Sequence, residues 1–237
     1  MGRACFVTAT DTDVGKTVLA STIVAALRER GLAVRARKPV ATGVLVSAAR
    51  HEPGVEDDLS ELADHELLAA VSGEDPAAVA GTRFEPAASP HLAAELAGVR
   101  IDVAAIAAAL RAEAGRAEGL VVEGIGGLLV PLADGWDVAR LAAELDLPVI
   151  VAARCGLGTI NHTLLTLEAA RARGLDIRAV VLTPWPPVPS AIEESNRRTI
   201  AALGGVEVAL LPALARLTRA SLAAAGADLP YERWLAT

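Results

Sequence analysis

Lys16 and Lys38 are the only lysines in the chain; the other 20 of its 22 basic residues are arginines. An ammonium is a compact point charge on a flexible stem, suited to a place among phosphate oxygens that a planar guanidinium does not fit. Lys16 lies in the run Thr8-Ala9-Thr10-Asp11-Thr12-Asp13-Val14-Gly15-Lys16-Thr17-Val18, between an apolar strand-like segment and a helical one. That is the setting of a Walker A loop. Its backbone N–H groups face phosphate oxygens, its lysine reaches the β and γ phosphates, and the hydroxyl after the lysine ligates Mg2+. Asp13, Val14, Gly15, Lys16, Thr17 and Val18 are therefore the expected phosphate contacts, with Thr17 also on the metal. The strict spacing G-x-x-x-x-G-K-[ST] is not met, because Thr10 and Ala9 hold the positions five and six before Gly15.

Other segments carry chemistry to the same place. Lys38-Pro39-Val40-Ala41-Thr42-Gly43 closes a second strand-like run and brings a lysine and a hydroxyl. Glu123 closes a third apolar run and precedes Gly124-Ile125-Gly126-Gly127, a backbone almost free of bulky side chains. Ligands of open α/β sheets bind beyond the carboxyl ends of the strands, so Glu123 is placed to ligate or organise Mg2+. Glu56-Asp57-Asp58 supplies three more carboxylates before a helix, suited equally to a metal and to a helix N-terminus. His91 and His162 have no Ser or Cys nucleophile signature beside them and are expected to make structural hydrogen bonds. Trp136 and Trp234 are expected to pack, whereas Trp185, in the Pro-rich loop 183–189, offers a surface for a nucleotide base.

Those residues need a scaffold, and the hydrophobic pattern supplies one. Strand-like runs near 3–8, 33–38, 119–123, 148–152, 177–182 and 206–210 alternate with segments of helical period. The helices are expected at 16–30, 59–71, 101–117, 137–145, 160–173, 190–203 and 214–224. Alternation of this kind predicts an α/β fold, a mainly parallel sheet with helices on both faces. No composition shift divides the chain, so 1–237 is expected to be a single domain. A net charge of −7 argues against nucleic acid as a partner, and no run of about 18 apolar residues is present for a membrane span. Two cysteines exclude a disulfide framework, and with no leader-like segment before the first strand the expected location is cytoplasmic.

The ordered set of motifs resembles the dethiobiotin synthetase family over nearly the whole chain. The family loop G-T-D-T-x-V-G-K-T matches Ala9 to Thr17, with Ala9 for its first Gly; K-P-V-x-[ST]-G matches Lys38 to Gly43; V-E-G-x-G-G matches Val122 to Gly127. S-P-H-x-A matches Ser89 to Ala93, and G-T-[IL]-N-H-[ST] matches Gly158 to Thr163. The resemblance implies a P-loop NTPase-like fold and ATP-dependent closure of a ureido ring on 7,8-diaminononanoate with CO2 or bicarbonate. By carry-over, Lys16 and Lys38 are catalytic, and Thr17, Asp58 and Glu123 serve Mg2+. Thr12 and Thr42 touch the diamine or its carbamate. Gly124, Ile125 and Gly126, with Thr183, Pro184, Trp185, Leu211, Pro212 and Ala213, surround the nucleotide, which is ATP or another nucleoside triphosphate. The same likeness implies a homodimer in which Gly158, Thr159, Ile160 and Asn161 hold the substrate carboxylate in the partner's site.

Two relatives of the fold are disfavoured. Partitioning ATPases carry a signature lysine where this chain has Asp11, and cobyrinate-type amidotransferases need a glutaminase domain for which 237 residues leave no room.

Overall fold

The computed structural model describes residues 3–44 and 58–235. In chain order the elements are β1 (Arg3–Ala9), α1 (Lys16–Glu29), β2 (Val34–Arg37), β3 (Val40–Thr42), α2 (Asp64–Ser72), α3 (Pro76–Val79), β4 (Thr82–Phe84), α4 (Pro90–Leu96) and α5 (Val103–Ala114). There follow β5 (Gly119–Glu123), β6 (Pro131–Ala133), β7 (Trp136–Asp137), α6 (Val138–Leu145), β8 (Val149–Ala153), α7 (Thr159–Ala172), β9 (Ile177–Trp185), α8 (Ala191–Gly204), β10 (Glu207–Pro212) and α9 (Arg219–Ala227).

Six strands make one sheet in the order β10-β9-β8-β1-β5-β2, each neighbouring pair parallel. Successive side chains of a strand face opposite ways, and both ways are apolar here. Ala4 and Phe6 of β1 enter a core shared with Leu110, Leu141, Leu167 and Ile200 of α5, α6, α7 and α8. Cys5 and Val7 enter the other core, with Leu19, Leu68 and Leu222 of α1, α2 and α9. Burial on both faces explains why the central strands read as unbroken apolar runs. Helices α1 and α9 meet at backbone distance: a methyl group added to Gly226 would lie 2.6 Å from Ala26 Cβ and 2.8 Å from the Thr22 carbonyl oxygen.

At the edge strand β2 the outward N–H groups meet carboxylates. Ala36 N–H donates to Glu74 (2.8 Å), and Ala33 N–H, just before the strand, donates to Glu118 (2.9 Å). Arg37 spans Glu74 (2.8 Å), in the turn after α2, and Glu113 (2.8 Å) of α5, which ties both to the strand next to Lys38.

All six expected strands are present, and two expected helices are shifted. The helix expected at 59–71 starts at Asp64, because residues 58–62 dock elsewhere: Asp58 accepts from the Ser60 N–H (3.1 Å) and hydroxyl (2.6 Å) and pairs with Arg216 (3.0 Å). The last helix runs from Arg219 to Ala227 in place of 214–224. The short pairs β3 with β4 and β6 with β7, and the helices α3 and α4, were not anticipated. The first pair fixes Thr42 beside Phe84 and so carries the chain toward Ser89.

Candidate active site

Strand β1 leads into the phosphate loop, and its neighbour β5 lies between it and β2, so three strand ends open on one spot. The loop turns at Asp13 (φ 57) and Gly15 (φ 85). Ala9, which replaces the family's glycine, sits inside β1 with no positive φ, so the replacement costs the loop no backbone freedom. Gly15 directly precedes α1, which makes Lys16 the first helical residue and Thr17 the second. Glu123 is the last residue of β5, and Lys38 directly follows β2.

These ends converge on a single oxygen. Glu123 Oε1 accepts from Lys16 Nζ (2.6 Å), Lys38 Nζ (2.8 Å) and Thr17 Oγ1 (2.8 Å). Lys38 Nζ is also 2.7 Å from Asp64 Oδ2. Glu123 is wholly buried, Lys16 and Lys38 are 9% and 2% exposed, and Asp64 is half-exposed at the rim. Two ammoniums thus face two carboxylates, the condition for keeping buried charges ionised. Burial alone would lower the Lys38 pKa, but the charges of Glu123 and Asp64 outweigh it and hold the group above its ordinary value. For Asp64, desolvation pushes the pKa up, and the charge and hydrogen bond of Lys38, with the Lys16 charge and the Thr17 hydroxyl, together more than reverse it, leaving the carboxyl below its usual range.

Glu123 Oε2 is buried with no partner among the described residues. An orphan carboxylate oxygen is costly to bury, and next to the Thr17 hydroxyl and the Asp64 carboxylate it completes a set of hard oxygen donors of the kind Mg2+ takes. The residues present therefore fit that ion. Asp58, expected in this role, points its carboxylate at Ser60 and Arg216 instead, which draws its pKa down to about 2. Asp64 occupies the position beside Lys38, and Glu56 and Asp57 lie outside the described residues. A signal for Asp64 was present in the sequence: it opens the apolar-periodic run Asp64-His65-Glu66-Leu67-Leu68.

A cavity of about 690 Å3 opens over this cluster. Thr12, Asp13, Gly15, Lys16, Thr17 and Val18 line one wall, with Lys38, Thr42 and Asp64 at the base. Ala87, Ala88, Ser89, Pro90, Ile125, Gly126 and Val130 form the less polar wall. Gly126 (φ 57) lets that wall close in, since a methyl there would come within 2.9 Å of Val130. A charged floor beside an apolar wall suits a phosphorylated ligand next to a small aliphatic one. The segment 87–90 was not given a role by sequence reasoning, and the β3 and β4 pairing is what delivers it.

Toward the base end, Thr183 packs its side chain against Gly15, and the Ala213 N–H donates to Trp185 O (2.9 Å), joining the two segments expected around the base. Trp185 is 8% exposed and belongs to the core, and Leu211 is fully buried, so neither offers a broad face to a base. Pro184, Pro212 and Ala213 are the exposed members. Gly124 lies behind the cavity wall, where an added methyl would meet Val138 and Phe6.

Gly158 (φ 91) caps α7 without a side-chain cap, Thr159 is buried against Thr163 (3.4 Å), and Asn161 is exposed. None of Gly158, Thr159, Ile160 and Asn161 lines the cavity of their own chain. His91 and His162 are exposed, and among the described residues neither imidazole has a hydrogen-bond partner, contrary to expectation. Trp234 is buried, and Trp136 carries Arg140 over its ring at 4.2 Å. No helix among the described residues is long and apolar enough to cross a membrane.

A family model described as an AAA domain matches residues 3–221. A protein of Haloferax mediterranei named ATP-dependent dethiobiotin synthetase BioD is 41% identical over 98% of this chain and 93% of its own length. Proteins of the same name from Rhodococcus jostii (39%, covering 97% and 95%) and Anaeromyxobacter dehalogenans (42%, covering 89% and 90%) are similarly close. Among solved structures, apo McdA of Cyanthece superposes with a TM-score of 0.56 at 10% identity, over 98% of this chain and 94% of that one. The signal recognition particle receptor FtsY of Elizabethkingia anophelis gives 0.50 at 12% identity, over 95% and 65%. At such identities the two structures share the fold alone.

Proposed function

The chain belongs to the ATP-dependent dethiobiotin synthetase family, and from that premise we propose how its own residues perform the family's ligation. The observation that carries the assignment of roles is the convergence of both lysines and Thr17 on one oxygen of Glu123. One amine of 7,8-diaminononanoate adds to CO2 and loses a proton to give a carbamate. A carbamate oxygen then attacks the γ phosphorus, ADP departs, and a carbamic-phosphoric anhydride forms. The second amine attacks the anhydride carbon and expels phosphate, which closes the ureido ring.

Each step gathers negative charge where the two ammoniums stand, and fixed charge aimed at a transition state is worth most where water is excluded. Lys16 holds the β and γ phosphates. Lys38, at the Thr42 side, steadies the carbamate and the transferring phosphoryl group, and its raised pKa keeps the proton on Nζ, so it acts as a cation and not as a base. Thr12 and Thr42 contact the diamine, and the Ile125, Val130 and Pro90 wall excludes water from the anhydride. Thr17, Asp64 and Glu123 would hold Mg2+, which when bound supplies charge neutralisation between the phosphates. Nucleotide contacts extend over Asp13 to Val18 and, on the base side, the exposed Pro184, Pro212 and Ala213.

The deciding measurement is single-turnover phosphate release. Dependence on diaminononanoate plus bicarbonate supports the ligase; dependence on DNA or lipid, or on glutamine, would replace it with a nucleotide switch or an amidotransferase. Lys16→Ala and Lys38→Ala should each abolish nearly all dethiobiotin formation, and Lys38→Arg should be severe because a planar fork replaces a point charge. A Lys38→Arg enzyme with most of its kcat would refute the point-charge role.

We read the functional unit as a homodimer of single-domain chains in the cytoplasm, where ATP and Mg2+ are at hand. In it, the N-terminus of α7 from one subunit binds the substrate carboxylate in the site of the other. Support comes from the exposed Asn161 and from helix N–H groups suited to an anion. Mixing inactive Lys16→Ala chains with chains impaired by Asn161→Ala should restore activity through hybrid dimers that keep one intact site; confirmed hybrids without activity would exclude shared sites.

A further inference from the structure

We propose that Asn196, on α8, is a positioning residue for the substrate-carboxylate segment: it fixes the loop between β8 and α7 and thereby aims the first turn of α7. The proposal rests on the reading of Gly158 to Asn161 given above. The loop Arg154-Cys155-Gly156-Leu157-Gly158 has two glycines and no regular structure, so its own backbone does little to define its path. Leu157 stands 90% exposed and contributes no packing.

Among the described residues, three side-chain contacts hold the loop from outside. Arg154 pairs with Asp11 of the phosphate loop (2.7 Å), but both side chains are about half in water, where such pairs hold weakly. The Cys155 thiol donates to the Pro184 carbonyl oxygen (3.2 Å), and a thiol is a weak donor. Asn196 is different. It is 6% exposed, and its Nδ2 donates to both Cys155 O (2.9 Å) and Gly156 O (3.1 Å). Asn is a poor helix former, so its place within α8 serves something other than the helix.

The Gly156 carbonyl oxygen links this amide to the site. It also accepts the N–H of Thr159, the first residue of α7 (3.3 Å). The next two N–H groups, of Ile160 and Asn161, have no protein acceptor among the described residues and remain available to an anion. Asn196 therefore sets, through one shared carbonyl, where those donors point. Small displacements of positioning groups carry disproportionate cost, because an anion at a helix N-terminus needs several N–H groups aligned at once.

The experiment compares Asn196→Ala and the milder Asn196→Ser with wild type and with Asn161→Ala. Expected for Asn196→Ala is a rise in KM for diaminononanoate of about tenfold, with KM for the nucleotide and kcat within about threefold of wild type. Hydrogen exchange at the Thr159–His162 amides should quicken in the same variant. Asn196→Ser, which keeps a short donor, should fall between, and it serves alone if the alanine variant does not fold. Equal rises in both KM values would overturn the proposal, since the loop would then support the fold in general. If Asn161→Ala raises KM for the diamine and the Asn196 variants do not, the positioning role fails while the carboxylate site stands. If Asn161→Ala changes nothing, the carboxylate reading itself falls and the proposal with it.

Discussion

Replacing Glu123 by Gln keeps the volume of a wholly buried side chain and removes its charge. The wild-type cluster balances Lys16 and Lys38 against Glu123 and Asp64; the variant leaves two ammoniums, 9% and 2% exposed, facing Asp64 alone. Breaking a buried ion pair from one side costs about 3–5 kcal/mol. The lower end applies here, because Lys38 keeps its 2.7 Å contact with Asp64 and a glutamine oxygen still accepts from Thr17. For a chain of 237 residues, a loss of about 3 kcal/mol lowers Tm by roughly 6–12 °C. Melting without Mg2+ or nucleotide measures it directly. Inorganic pyrophosphate, which restores negative charge between the lysines, should then stabilise the variant more than the wild type, while turnover with saturating Mg2+ and ATP falls about 10²–10³-fold. A Tm drop under about 2 °C, or pyrophosphate favouring the wild type, would show that Glu123 is not the counter-ion of the two lysines.

Asp64→Asn should raise the Mg2+ concentration for half-maximal activity by about tenfold or more, and Asp58→Asn should leave it within about threefold; the reverse ranking would return the metal to Asp58. The exposed base-side residues Pro184, Pro212 and Ala213 carry no side-chain polarity and Trp185 is buried, so kcat/KM for ATP, CTP, GTP and UTP should agree within about a hundredfold. Preference for ATP beyond roughly a thousandfold would mean that backbone groups read adenine. Gly226→Ala improves helix propensity by about 1 kcal/mol, yet its methyl would sit 2.6 Å from Ala26 Cβ and 2.8 Å from Thr22 O. Overpacking of about 1–3 kcal/mol should win, and a raised Tm would show that α9 moves away freely.

Long, doubly buried strands were legible because burial on both faces writes itself into sequence as unbroken runs such as Leu120-Val121-Val122. The phosphate loop and Glu123 were legible because each stands at the end of such a strand, and Lys38 because it is one of only two lysines. Asp64 was not, and the cause is the start of α2. With the helix placed at 59–71, Asp58 occupies its N-terminal position; in the structure Leu59 N–H bonds to Leu217 O (2.6 Å), Asp58 pairs with Arg216, and the helix begins at Asp64. A partner more than 150 residues away decided which acid reaches the lysines. Ser89 and Pro90 matched a family motif but were not placed at the cavity, for a related reason: β3 and β4 are three residues each, too short to leave a period in the sequence.

The lysines have one more consequence, in the chemistry of amines. The chain's only two ε-amino groups, those of Lys16 and Lys38, are buried and open only onto the cavity beside the phosphate loop. Acylating, reductively alkylating or carbamoylating reagents therefore find no ordinary surface lysine to consume them, and neither do enzymes that modify lysine side chains. Label that reaches an ε-amine of the folded chain reports on the nucleotide cavity, and a ligand seated there acts as its shield.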